Sequence, residues 1–391
     1  MLHIERLTAD ITTMGQRTAE RQQQREADVI TALRWLAEAP APAELRARLE
    51  RVTAGEAGWS GALPPTDAPL NAALTAPDAP PPDTTLIAAD GSQVYPDRHA
   101  AALYYLIQTG GIVFRYDGST PGPHSRASLH YEDDELYDAE GYLIGAEKVG
   151  MQRLVQEMGY LAELTAAERR RQAPTPIYAL TDGPLLWPYI ERTKEDYLAF
   201  EEYLDVLTQI RRAGGLPVGY VERPGGHALV ALLWASRLSP EDIPGKLQEN
   251  PLRLLTDHEL MGHFLRPGER SPWLMRPTPT QRAHANKGHA IWFCYLNAGR
   301  PGHPIVARVE VPAWAAGDKA AITTLHAALR HQSAVLNGYP YVLARAHEEA
   351  LVTTQDKAAL DSVIQRRLIE QGVLAQPSEK ARQKSYFGRK S

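Results

Sequence analysis

The chain has 391 residues, enough for one large domain or two to three ordinary ones, and its hydrophobic content of 43% predicts a packed core. The formal net charge of −5 gives no global signature of nucleic-acid binding, although it leaves room for a local basic groove. The single cysteine, Cys294, excludes a disulfide framework within the chain, and we expect it to be a buried core thiol in a cytoplasmic protein.

The N-terminal part of the chain is predicted to be helical. Residues 3–38 have helical composition, and Leu7, Ile11 and Met14 recur at helical spacing. This pattern predicts a long, mostly exposed helix that could serve as a partner surface. The N-terminus lacks the apolar segment of a signal peptide, and no later run approaches the roughly 18 consecutive apolar residues of a membrane span.

Composition divides the chain into regions. Residues 61–84 are rich in proline and alanine, which is typical of a semi-rigid linker or an extended surface strap. The last residues are basic and are predicted to be a solvated end. We therefore predict an N-terminal helical region at 1–60, a linker at 61–84, the main domain at 85–373 and a basic tail at 374–391.

The main domain is predicted to contain strands and helices in the order β-β-β-α-β-α-β. Three adjacent antiparallel strands followed by αβαβ is typical of a ribonuclease H-like mixed sheet with flanking helices, whereas a doubly wound sheet alternates from its start. The predicted elements are a strand at 85–90, two strands within 100–118 joined by a turn at Thr109-Gly110-Gly111, a helix within 139–172, a strand at 176–182, a helix at 194–212 and a strand at 216–221.

Two of these strands run up to an Asp-Gly pair. Residues 85–96 read TLIAADGSQVYP and residues 177–188 read IYALTDGPLLWP. Asp-Gly alone is typical of a turn. In the predicted topology, however, the first and fourth strands are parallel neighbours, so that Asp90 and Asp182 come together. Two close carboxylates repel each other unless a cation lies between them, and Mg²⁺ or Mn²⁺ prefers such oxygen ligands. Two such ions can clamp the oxygens of a phosphodiester.

A third acid for this site is expected from the helix between the two strands. Glu157 lies on the apolar stripe with Leu161, where an acid is costly unless it is paired or ligates an ion. Glu147 is flanked by apolar residues and is a rival, whereas Glu163 falls nearer the polar face. The alternative for Glu157 is an acid at the edge of the stripe that reaches solvent.

Other catalytic motifs do not fit the chain. The segment DHELMGH places His258 and His263 five residues apart, one more than the zinc-protease pattern requires, and no GxxxxGK[ST] loop indicates ATP hydrolysis. The segment RPGGHAL at 223–229 could cradle a phosphate, but loops with two glycines are common. A glycosidase that uses two acids is a third interpretation, with Trp187 as a sugar platform.

Seven sequence blocks carry a resemblance to a known family. They are AADGSQ (88–93), TDGPLLWP (181–188), GYVERP (219–224), PGERSPWL (267–274), GHAIWFCYLNAG (288–299), ARVEVPAW (307–314) and GYPYVLARAHEEALVT (338–353). In this order they resemble the NurA nuclease family. The resemblance implies a ribonuclease H-like domain, a Mn²⁺-dependent 5′→3′ DNA exonuclease and single-strand endonuclease, and a homodimer that works with a HerA-type hexameric ATPase in end resection.

The resemblance also implies site residues. The metal ligands carried over by position are Asp90, Asp182, His347 and, by a less secure alignment, Glu157, with Mg²⁺ as the alternative to Mn²⁺. Tyr339 joins them as a catalytic residue, and the predicted DNA contacts are Arg223 and Arg345. His347 could instead be a structural helix histidine that donates to a backbone carbonyl. The alternative function is a non-catalytic dimeric adaptor for DNA ends and the translocase on the same fold.

Overall fold

The computed structural model describes residues 4–53, 59, 61–138, 140–171 and 175–373. The predicted basic tail at 374–391 lies outside the described residues. No helix within the described ranges is both long and apolar enough to cross a lipid bilayer.

The described chain contains seven strands, three of them consecutive at the start of the sheet, and thirteen α-helices. The strands are β1 (Thr85–Val94), β2 (Tyr105–Arg115), β3 (Gly122–His130), β4 (Ile177–Asp182), β5 (Gly215–Glu222), β6 (Ile291–Asn297) and β7 (Val306–Pro312). The α-helices are α1 (Thr8–Ala37), α2 (Pro42–Thr53), α3 (Asp133–Leu136), α4 (Ala146–Arg171), α5 (Lys194–Arg212), α6 (Ala228–Arg237), α7 (Ile243–Lys246), α8 (Asp257–Phe264), α9 (Pro279–Asn286), α10 (Ala313–Ala316), α11 (Lys319–Val335), α12 (Tyr341–Ala350) and α13 (Thr354–Glu370).

The strands form a mixed sheet in the order β3-β2-β1-β4-β5-β7-β6. Strands β1, β2 and β3 pair antiparallel, and β1 pairs parallel with β4. Strand β7 pairs antiparallel with both β5 and β6. The α/β class predicted from the sequence is confirmed, and the order of the first five strands is compatible with a ribonuclease H-like sheet.

The hairpin predicted at Thr109-Gly110-Gly111 is wrong. Strand β2 runs straight through these residues, and the third strand is β3, which the sequence analysis did not identify. The two glycines do not form a turn; they allow α12 and α4 to pack closely against β2. A Cβ on Gly110 would lie 2.2 Å from the backbone nitrogen of Ala350 in α12, and a Cβ on Gly111 would lie 2.6 Å from Leu164 Cδ1 in α4. Because successive strand residues face opposite sides, α12 and α4 cover opposite faces of the sheet.

The chain divides into two compact units. The β1–β4 unit comprises Pro81–Asp182, Trp187–Val218 and Tyr341–Ser391, and the β6–β7 unit comprises Met1–Pro80, Gly183–Leu186 and Gly219–Pro340. The domain boundaries predicted from composition stay a prediction, because these units do not test them.

In the β1–β4 unit, strand β1 is apolar and buried along its first five residues, as expected for a strand covered on both faces. Helix α4 contributes Met158 and Leu161 to the core, and α12 contributes Val342 and Leu343. The two acid-bearing strands are thus held between packed helices.

In the β6–β7 unit, α1 joins the core only through its C-terminal part. Val29, Ala32 and Leu36 are buried in a hydrophobic cluster of this unit. Residues 8–27 of the helix are exposed, which confirms the expectation of a mostly exposed helix. The Pro/Ala-rich stretch is extended and partly buried; Leu63 forms an isolated bridge with Met275, and Leu70 is buried.

Candidate active site

Adjacent parallel strands bring two aspartates to one place. The β1–β4 register pairs Ala89 with Thr181, so that Asp90 and Asp182 occupy the next position on each strand. Asp182 is the last residue of β4, whereas β1 continues beyond Asp90 to Val94. Gly183 follows with φ of +151°, a backbone conformation that L side chains rarely adopt. The Asp-Gly pair at 182–183 therefore does end a strand, but it also presents a carboxylate at the sheet edge.

Asp90 is held from two sides. Its Oδ1 accepts a hydrogen bond of 2.7 Å from the backbone N–H of Gly91, and its Oδ2 lies 2.7 Å from Nδ1 of His347 in α12. The Asp90 side chain is 13% exposed and that of His347 is 62% exposed. The Asp90 carboxylate favours the tautomer of His347 with the proton on Nδ1, which leaves the other ring nitrogen available for chemistry.

Glu157 is the buried acid of this cluster. It is 2% exposed, and its Oε1 accepts a hydrogen bond of 2.6 Å from the Thr181 hydroxyl. Burial raises the pKa of Glu157 to about 8; the Arg153 guanidinium opposes this rise, and the negative charges of Asp90 and Asp182 add to it. The negative charges of both aspartates therefore act on Glu157, as expected for a third acid near Asp90 and Asp182.

The two rival glutamates of α4 lie elsewhere on the helix surface. Glu147 is exposed in the first turn. Glu163 is 61% exposed and forms an ion pair of 3.1 Å with Arg126. Neither has the burial that Glu157 has, which is why the apolar stripe was the informative pattern.

Sequence analysis missed the residues that support Glu157. Arg153 lies one helical turn before it, and its Nη1 donates to Glu157 Oε2 at 3.0 Å and to the Gly91 carbonyl at 2.9 Å. Tyr189 is close enough for Arg153 and Glu157 to affect its pKa, which burial raises. The i,i+4 spacing of Arg153 and Glu157 was a usable signal, because such pairs face each other on a helix.

The remaining predicted site residues have other surroundings. Tyr339 belongs to the β6–β7 unit, where its ring meets that of Tyr220 edge-on at 5.8 Å between centroids. Arg223, in the same unit, is 69% exposed and has a φ of +45°. Arg345 lies on α12 and pairs with Glu348 and Glu349 of the same helix. The structure thus pairs His347 with Asp90, aligns Asp90 with Asp182 on neighbouring strands, and places Glu157 where the charges of both aspartates act on it.

The donor set of this cluster suits a divalent cation. Three carboxylates supply hard oxygen ligands and His347 supplies a nitrogen. Burial raises the pKa of Glu157 most, and the charges of Asp90 and Asp182 raise it further; a cation would favour its charged form. The side chains are not preset around one point: in the described part of the chain, no group of three or more His, Cys, Asp or Glu residues has the geometry to hold a metal ion. Arg153 and His347 instead hold carboxylate oxygens of Glu157 and Asp90.

Comparisons with known proteins place the chain in a family. No curated protein matches it significantly. Similar solved structures include a NurA (11% identity, TM-score 0.39, covering 75% of this chain and 91% of the other), a NurA with manganese (12%, 0.37, 74% and 91%) and a NurA bound to dAMP and manganese (11%, 0.37, 91% and 96%). The family model described as the NurA domain matches residues 84–352, well over half of the sequence, and the chain therefore belongs to the NurA family.

Proposed function

We propose that the protein is a metal-dependent deoxyribonuclease of the NurA family, acting as a 5′→3′ exonuclease and single-strand endonuclease in DNA end resection. One observation carries the proposal: Asp90 and Asp182 occupy matching positions on the parallel neighbours β1 and β4, and the buried Glu157 is hydrogen-bonded to Thr181, the residue before Asp182. A buried acid beside other acids is costly for a fold, and a divalent cation would offset that cost.

The ligands that we propose are Asp90, Glu157, Asp182 and His347. The bound ion would supply Lewis acidity at the phosphate and a water of lowered pKa. Mn²⁺ is proposed ahead of Mg²⁺ because a nitrogen donor suits Mn²⁺ better. In the metal-free protein, packing and hydrogen bonds of the fold keep these side chains near one another.

Neighbouring side chains position the proposed ligands. Thr181 and Arg153 fix the two oxygens of Glu157 by hydrogen bonds. Asp90 orients His347 through Nδ1, so that Nε2 is the nitrogen left to hold the ion. In the alternative role, in which His347 does not hold the ion, Nε2 would take a proton from the attacking water or return one to the leaving 3′-oxygen. In the hydrolysis a P–O bond forms to water and the P–O bond to the 3′-oxygen breaks.

The alternative, a non-catalytic adaptor, is less well supported. An adaptor has no use for an acid that is almost fully buried beside two aspartates. It would require only a surface for DNA and for the translocase.

Nuclease activity of single-residue variants tests the proposal. With linear DNA and Mn²⁺, we expect Asp90→Ala and Asp182→Ala each to lower the cleavage rate by more than about 100-fold, since loss of an ion ligand exceeds the usual effect of outer-shell changes. A chelator should abolish wild-type cleavage. Glu163→Gln, at an exposed acid of α4 outside the proposed ligand set, is the control and should cleave at the wild-type rate. Circular dichroism checks that each variant is folded; cleavage by both folded aspartate variants at the wild-type rate would contradict the proposal.

We further propose that the protein is a homodimer that works with a HerA-type hexameric ATPase. The chain has no GxxxxGK[ST] loop, so translocation along duplex DNA must come from a partner. The proposed docking surface is the exposed apolar stripe formed by Leu7, which directly precedes α1, and by Ile11 and Met14 of α1.

A further inference from the structure

The β6–β7 unit contains a cavity of about 260 Å³ that is separate from the acid cluster. Three segments line it: residues 267–268, residues 297–300 and residues 330–338 with gaps. They belong to or adjoin the sequence blocks PGERSPWL, GHAIWFCYLNAG and GYPYVLARAHEEALVT; of these blocks, the proposed active site uses only His347.

The polar side chains around this cavity are mainly hydrogen-bond donors. Arg300 and Arg330 contribute guanidinium groups, and Ser333 contributes a hydroxyl. No acidic side chain is among the described residues that line the cavity. An anion therefore meets donors here without a like charge in the lining itself.

Ser333 points to a missing partner. It is 1% exposed, and its Oγ has no hydrogen-bond partner within the described ranges. A buried hydroxyl without a partner costs free energy, and such groups are rare in folded proteins. A ligand oxygen would satisfy it.

The two arginines differ in how far their positive charge is already compensated by other groups of the fold. Arg330 Nη2 pairs with Asp78 at 2.5 Å, and its Nη1 donates to the Ala76 carbonyl at 2.6 Å, so that part of its charge is compensated within the fold. Arg300 is exposed, and no carboxylate of the described chain forms an ion pair with it. The cation most available to a ligand is therefore Arg300.

The backbone near Arg330 leaves room for its guanidinium group. Gly268 has a φ of +81°, and a Cβ there would lie 2.4 Å from Arg330 Nε. Gly338, on the opposite segment, has a φ of +126°. Glycine at 268 thus lets the guanidinium lie against the chain, where it forms one wall of the cavity.

We propose that this cavity binds a backbone phosphate of single-stranded DNA. The inference rests on the proposed nuclease function for the identity of the ligand. A guanidinium fork suits a phosphate, and the volume lies below the roughly 300 Å³ at which pockets for drug-sized ligands begin, which fits one phosphate with its sugar. The site holds the strand through its backbone and is indifferent to base sequence.

DNA binding without cleavage tests the site. We would measure fluorescence anisotropy of a labelled single-stranded oligonucleotide across a range of salt concentrations, in the presence of a chelator. Arg300→Ala should weaken binding by roughly 10-fold and lower the magnitude of the salt slope by about 0.7, the value for one phosphate contact on a single strand. Ser333→Ala should weaken binding several-fold without lowering the melting temperature, because its hydroxyl has no hydrogen-bond partner within the described ranges and its removal relieves a cost to the fold.

Arg253→Ala is the matched control, since Arg253 is an exposed arginine of the same unit that does not line the cavity. Equal salt slopes for Arg300→Ala and Arg253→Ala would overturn the inference while leaving Mn²⁺-dependent cleavage, and so the nuclease proposal, intact. A wild-type protein that binds no single-stranded DNA in the chelator would overturn the inference, whereas Mn²⁺-dependent cleavage decides the nuclease proposal separately. Stabilisation by inorganic phosphate that is lost in Arg300→Ala, with unchanged DNA affinity, would assign the cavity to free phosphate and overturn the DNA assignment.

Discussion

Glu157 links the stability of the metal-free protein to pH. The ordinary pKa of this carboxyl is 4.5, and the fold raises it to about 8, chiefly by burial. Between these values the folded chain holds a proton that the unfolded chain has released. A rise in pH therefore favours unfolding, and the contribution of Glu157 to stability is full below about pH 4.5 and is lost as the pH rises through about 8.

We expect this effect to appear as a difference between two proteins. Glu157→Gln keeps the shape of the protonated carboxyl and does not titrate. Relative to this variant, the free energy of unfolding of the metal-free wild type should fall between pH 5 and pH 8, by on the order of a few kcal/mol. Urea unfolding in a chelator, at several pH values, measures the difference.

Metal addition supplies the control for this prediction. At pH 8, Mn²⁺ should stabilise the wild type more than Glu157→Gln, because the variant lacks one carboxylate ligand. Glu163→Gln, an exposed position, should follow the wild type at every pH. A difference between wild type and Glu157→Gln that does not change with pH would contradict the raised pKa.

At the scale of single residues, the sequence could predict the acids but not all of their partners. Helical periodicity identified Glu157, because an acid on an apolar stripe is conspicuous. The same periodicity could have found Arg153, which lies four residues earlier. The contact of His347 with Asp90 joins residues 257 apart in the chain, and no local pattern encodes such a contact; the resemblance suggested it instead.

At the scale of elements, the Gly110-Gly111 pair shows how tertiary packing overrides local preference. Two glycines after a threonine are typical of a turn. Here they lie in mid-strand because α12 and α4 approach β2 from its two faces. The helix at 194–212 and the strand at 176–182 were predicted almost to the residue, since their periodicity and the capping residue Thr193 are local signals.

This packing predicts a large effect of one methyl group. In Gly110→Ala the new Cβ would meet backbone atoms of Ala350 and Glu349 at 2.2 and 2.4 Å, and backbone yields less readily than a flexible side chain. We expect a loss of about 1–3 kcal/mol in the free energy of unfolding. Because α12 carries His347, DNA cleavage should fall as well.

Gly159→Ala is the control, because it is expected to raise the free energy of unfolding, whereas Gly110→Ala is expected to lower it. Gly159 lies within α4, and a Cβ there meets nothing within 4 Å. We expect it to stabilise the protein by roughly 0.5–1 kcal/mol, as alanine does in helices, without loss of cleavage. Thermal or urea unfolding compares the two variants, and equal stabilities would show that α12 can move away without cost.

At the scale of the whole molecule, the sequence predicted the α/β class, but it missed β3, β6 and β7 and the division into two units. Each unit takes its residues from three separate stretches of the chain, and composition reports only contiguous stretches. The N-terminal helix illustrates the difference. Its last turns belong to the core of the β6–β7 unit, whereas its first turns lie exposed. Removal of the whole region at 1–38 would therefore damage a core as well as a surface.

Point substitutions on the exposed turns give a cleaner test of the proposed partnership. Ile11 and Met14 are exposed apolar residues on the stripe, and replacing both by glutamate adds charge where an apolar contact is expected. We expect the double variant Ile11→Glu/Met14→Glu to lose co-purification with a HerA-type hexameric ATPase and to lose ATP-stimulated degradation of duplex DNA. Its unstimulated Mn²⁺-dependent cleavage should remain at the wild-type rate.

Ile30→Glu is the control, because Ile30 is exposed on the same helix beyond the stripe. Light scattering adds the oligomeric state: a double variant that becomes monomeric would assign the stripe to the homodimer, and one that still binds the ATPase as a dimer would show that docking lies elsewhere.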